Sequence, residues 1–190
     1  MQFYPMRLLI PTLLAMWSAV ASAGTDTRVD AETGLSSWQT ETGGIQVQLT
    51  QISPDQARAF YQARGFSTAA AERYAAECVF MTVVRNLGDM PIQHRLADWR
   101  YVVAGQAPRA IRNKTAWERI WKQQGVNEAA RIAFTWAQFP TTQTFAPGDW
   151  NQGMTTYSVP RGTPFDLRFV WRAGGKQHSG MLEQVRCADE

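Results

Sequence analysis

The fold this sequence predicts is a mainly β, antiparallel sandwich with helical insertions, and three observations carry the prediction. Short apolar–polar alternations recur from Ile45 to the C-terminus, separated by turns that carry glycine or proline. Helix start and stop signals mark only a few short stretches. The two cysteines, Cys78 and Cys187, follow a leader-like N-terminus, so one disulfide is expected to join an early strand to the last one.

Residues 1–23 are read as a secretory signal peptide. Arg7 gives a positive start, residues 8–20 are mostly apolar, and Ala21-Ser22-Ala23 offers small side chains for cleavage at about Gly24. The apolar run is short for a membrane span and Pro11 interrupts it. No later segment approaches the roughly 20 apolar residues of a spanning helix. The chain is thus expected to be exported, periplasmic or extracellular, and not membrane-spanning.

Residues 24–44 are polar apart from Leu35 and Trp38, and read as a loosely held arm. Residues 45–190 are read as a single sandwich domain. In it, Ile45, Val47 and Leu49 alternate with Gln46, Gln48 and Thr50, as in a half-buried strand. Ser53-Pro54-Asp55-Gln56 is a helix start. Ser53 can cap, Pro54 suits the first position and Gln56 completes a capping box. Gly65 stops that helix, and Ser67 caps a second one with Ala70, Ala71, Tyr74 and Ala75 inward.

Residues 78–84 are nearly unbroken apolar sequence and read as a strand buried on both faces. Asn86-Leu87-Gly88-Asp89 is a turn, with strands expected near 90–94 and 99–103. Thr115 and Glu118 form a capping box for a third helix, which has Trp117, Ile120 and Trp121 on one face and ends at Gly125. Residues 131–139 alternate again, with Ile132, Phe134 and Trp136 on one side, and read as a strand. Further strands are expected at 154–159, 165–172 and 177–187. The turns between them are Pro160-Arg161-Gly162-Thr163 and Gly174-Gly175. That makes roughly seven or eight strands and about three helices, a sandwich of immunoglobulin-like or related type.

Composition excludes several functions. The net charge is +3, and basic residues alternate with acidic ones instead of forming a stripe, so no nucleic acid partner is expected. There is no G-x-S-x-G elbow, and only His94 and His178 are available as bases. Ser179 follows His178 directly, and strand neighbours point to opposite faces, so they make no nucleophile–base pair. Asp98, Asp149 and Asp166 lie near aromatic residues, but each is equally at home as a surface or turn acid.

Binding is therefore the expected role: a non-catalytic accessory protein of the envelope or extracellular space, acting on an unknown protein partner or small ligand. The most distinctive stretch is 145–153, where Asp149, Asn151 and Gln152 flank Trp150. An exposed tryptophan there would anchor a partner or stack on a sugar ring, giving a carbohydrate-binding module as one alternative. Copper handling is another. No cofactor is otherwise expected, but Met90, His94, His178 and Met181 combine thioether and imidazole, the ligands that suit Cu(I). Arg58, Arg64 and Arg73 offer a basic helix surface for an acidic partner.

Overall fold

The computed structural model describes residues 24–189. The leader reading at 1–23 falls outside them. Within them the chain forms two antiparallel sheets backed on one side by helices.

The five-stranded sheet runs β1 (Asp26–Val29), β2 (Ser36–Thr42), β3 (Ile45–Ile52), β4 (Cys78–Asn86) and β9 (Trp150–Tyr157), in that order. The second sheet contains β5 (Ile92–Arg95), β6 (Arg100–Val103), β7 (Arg109–Ala110), β8 (Thr142–Phe145), β10 (Phe165–Ala173) and β11 (Lys176–Val185). Its centre is β10. One edge pairs with β11, and the other is shared by β6 at Phe165–Arg168 and β5 at Trp171–Ala173. Four α-helices complete the fold: α1 (Pro54–Gln62), α2 (Thr68–Ala75), α3 (Lys114–Gln123) and α4 (Glu128–Ala137).

The sandwich is real, but its strands and helices outnumber the expectation. The first four strands are sequential neighbours in one sheet, which is not the strand order of an immunoglobulin sandwich. The 24–44 segment is no loose arm. Gly43 and Gly44 both take positive φ and close a tight hairpin, which brings Trp38 and Thr40 onto the inner face. The alternating segment 131–139 is mostly helix and not the expected strand. Asn127 caps the nitrogen of Ala130, the segment coils as α4, and Ala130 and Phe134 make its buried stripe four residues apart. Helix-favouring alanines at 129, 130, 133 and 137 outweigh the period-two pattern. In α3 the cap is Asn113, two residues ahead of the expected Thr115.

Two cores follow from the strand period. On β4, Cys78, Phe80 and Val84 point between the sheets, where they meet Trp38, Leu49, Trp99, Tyr157, Phe165 and Leu167. Val79 and Met81 point the other way, under the helices, and join Tyr61, Tyr74, Trp117, Trp121, Phe134 and Met154. Each fully buried aromatic contributes roughly 1.5–3 kcal/mol of transfer free energy, so both layers are substantial. Inside the second core Gln138 donates to the hydroxyls of Tyr61 (2.7 Å) and Tyr74 (3.1 Å), while the Tyr61 hydroxyl donates to Met154 Sδ. That network pairs the buried groups of Gln138, Tyr61 and Tyr74, while the Trp121 indole nitrogen beside them has no partner among the described residues.

Cys78 and Cys187 form the expected disulfide, with Cα atoms 5.1 Å apart and a separation of 109 positions in sequence. It ties the start of β4 to the tail beyond β11. Among the described residues no helix is long and apolar enough to cross a membrane.

Candidate functional site

The helices cover only half of the outer face of the five-stranded sheet. Ile52, Val79, Met81 and Met154 lie under or against them. Among the described residues nothing covers the same face beyond Met81, because neither helix pair extends over it. Its residues follow from the strand registers. One row across β2, β3, β4 and β9 reads Glu41, Gln46, Arg85 and Trp150. The next row reads Gln39, Gln48, Val83 and Gln152. Strands stand about 4.8 Å apart, so each row spans about 14 Å.

Trp150 is the largest apolar side chain of this shelf, stands at its end on the edge strand β9 and is 51% exposed. The guanidinium of Arg85, its cross-strand partner, lies 5.0 Å from the ring centroid and holds the indole by a cation–π contact. Gln46 donates to Glu41 at 2.6 Å, and Gln48 donates to the Thr50 hydroxyl at 3.2 Å. Both charges in the first row therefore have a neighbour of the row as partner, and the surface between them carries amides.

The loop expected to hold the site is divided by this geometry. Trp150 begins β9 instead of sitting in the loop, and Gln152 shares its outer face. Asp149 belongs to the turn that carries the chain from one sheet to the other. Its carboxylate accepts from the Ala146 nitrogen at 2.8 Å and its carbonyl from the Asn86 nitrogen at 2.9 Å. Asn151 faces inward and donates to Gln143 at 2.6 Å. Asp149 and Asn151 thus position Trp150, while Arg85, Gln46, Gln48, Gln39 and Val83 join it. Sequence reasoning missed those five because they lie on other strands. The polar members of the 45–50 alternation are their only local sign, and the unbroken apolar run 78–84, expected to be buried on both faces, hides that Val83 is only partly buried.

The four thioether and imidazole residues are distributed as follows. His94 on β5 and His178 on β11 are both paired with Trp171 of β10, one on each side, and share the inner face of the sheet. His94 is 1% exposed, walled by Trp99, Phe139 and Phe145 at centroid distances of 5.8, 5.1 and 5.7 Å, and neither ring nitrogen has a hydrogen-bond partner among the described residues. Burial pulls its pKa down to about 4. His178 is exposed and stacks on Trp171 at 5.4 Å. Met181 is paired with Arg168 on the opposite face, and the bulge of this hairpin lies beyond it, between Phe165 and Leu167. Met90 precedes β5, exposed beside Gly174. The bulge needed to turn Met181 toward His178 is therefore absent from the residues between them.

Of the three helix arginines, Arg58 is held by Asp55 and Glu72, and Arg64 lies 3.4 Å from the centroid of the Phe60 ring. Arg73 is exposed in the last turn of α2. Asp98, Asp149 and Asp166 sit on three separate elements. Asp166 accepts from the Gln184 nitrogen, and Asp98 is 3.9 Å from Arg95. A further groove of about 410 Å³ runs between α3 and α4, where Ile132 and the 85% exposed Trp136 meet Glu118 and Lys122.

No protein-family model, curated protein or solved structure matches this chain.

Proposed function

We propose that this chain is an exported, non-catalytic binding or accessory protein of the cell envelope or extracellular space, and that its ligand lies on the bare half of the five-stranded sheet. The observation that supports this reading is Trp150. A solvent-facing tryptophan is fixed by Arg85 in a row of polar side chains, on a sheet face whose other half is sealed by helices. The exposed half of the ring gains nothing from folding, whereas Trp and Arg are among the side chains that most often carry binding energy. The rigid sheet beneath keeps the ordering cost of binding low.

Two-dimensional amide spectra of the 15N-labelled protein, recorded during titration with fractions of envelope glycans and peptides, test the reading. Shifts should gather on Gln46, Gln48, Val83, Arg85, Trp150 and Gln152. A ligand that moves only amides elsewhere, such as those around Ile132 and Trp136, overturns it.

A further inference from the structure

Resting on that reading of the shelf, we infer that its occupant is a neutral glycan chain lying across the strands, with one sugar ring against Trp150 and its hydroxyls on the glutamines. Four amide side chains, Gln39, Gln46, Gln48 and Gln152, stand on two adjacent rows of one face. Each amide carries both donors and an acceptor. A sugar hydroxyl also donates and accepts, so amides and hydroxyls pair without either side carrying charge.

Charge argues against the acidic alternative. Arg85 is the only cation in these rows, its guanidinium is over the indole, and Glu41 stands in the same row. An anionic polymer would find one engaged cation and one carboxylate, which gives no net attraction. Apolar content argues against a protein partner. Trp150 and Val83 are the only large apolar side chains in the two rows, whereas the buried centre of a protein interface is built from several aromatic, methionine and aliphatic groups. The length fits as well: rows of about 14 Å accommodate a short run of linked sugars rather than one ring. The ring face of Trp150 supplies the apolar contact, and the flanking amides fix the orientation.

Native gel electrophoresis through neutral polysaccharides (xylan, mannan and mixed-linkage glucan) and through acidic ones (polygalacturonate and heparin) tests the inference. At least one neutral polymer should retard the protein. Trp150→Ala should weaken that retardation at least tenfold, and Gln48→Leu or Gln152→Leu several-fold. Trp136→Ala, which removes the more exposed tryptophan on α4, should leave it unchanged and controls for nonspecific stacking. Trp150 is exposed, so loss of binding in its variant is not a folding failure, and an unchanged melting temperature verifies this. Retardation by acidic polymers alone, by none, or equally in Trp150→Ala overturns the inference. If the spectra then still map a peptide to the shelf, the binding face survives and only the glycan class falls.

Discussion

A Cβ atom placed on Gly153 would stand 2.5 Å from the Cα of Phe139. At this point β9 passes against the segment that leaves α4. The Phe139 nitrogen donates to the Met154 carbonyl at 3.0 Å, and a parallel bridge joins Gln138 to Met154. The absent side chain is thus what lets the helical layer dock on the edge of the sheet, next to Gln152 and Trp150. The opposing atoms are backbone and cannot rotate away. Gly153→Ala should therefore cost about 3 kcal/mol, the upper part of the overpacking range, and lower the melting temperature by about 10 °C. A variant that melts with the parent would show that the segment is free to move aside.

His94 predicts a weakness in mild acid. Its folded pKa of about 4 lies below the ordinary value of about 6.5, because burial among Trp99, Phe139 and Phe145 disfavours the charged ring. Its cross-strand partners, Gln143 and Trp171, are neutral and give the cation no counter-charge. As pH falls below 6.5 the unfolded chain binds a proton that the folded one refuses. Stability therefore declines from pH 6.5 to about 4, by about 3 kcal/mol in total, and this contribution levels off below that. Denaturant melts across this range should show the decline in the parent and a flatter line in His94→Phe. Parallel lines would mean that other groups set the acid sensitivity.

The disulfide should be structural. Cys187 lies just past β11, so the bond pins the tail to β4 as well as restricting the unfolded chain. Cys187→Ser should lose about 2–4 kcal/mol while keeping the shelf intact, since Cys78 begins the end of β4 opposite Arg85. Intact-mass measurement of native material before and after alkylation should find a chain that begins near Gly24 and takes up no label until it is reduced. Two thiols labelled without reduction would contradict the bridge.

The copper reading can be tested on its geometry. His94 and His178 flank Trp171, and Met181 is on the other face of the sheet. The expected outcome of a Cu(I) titration is no stoichiometric site that depends on all four residues. Tight binding abolished by each of Met90→Ala, His94→Ala, His178→Ala and Met181→Ala would require a rearranged β10–β11 hairpin.

The sequence by itself determined whatever depends on neighbours a few residues apart. Ser53 and Gln56 do form the capping box of α1, Gly65 and Gly125 do end their helices in left-handed conformations, and Gly174-Gly175 turns the last hairpin. The same glycine-pair signal stands at Gly43-Gly44, where it turns β2 into β3 and makes the 24–44 segment part of the sheet. Residues 131–139 show the limit of periodicity. Ile132, Phe134 and Trp136 alternate in the text, but only Phe134 is buried, and α4 turns the other two outward. Tertiary structure alone decided which half of the five-stranded sheet the helices would cover. It also decided that Arg85, Gln46 and Gln48, which lie far from Trp150 in sequence, would stand beside it. The physical reason is that strand register brings distant segments into line and helix docking chooses what stays in water, and neither is encoded within any one stretch of chain.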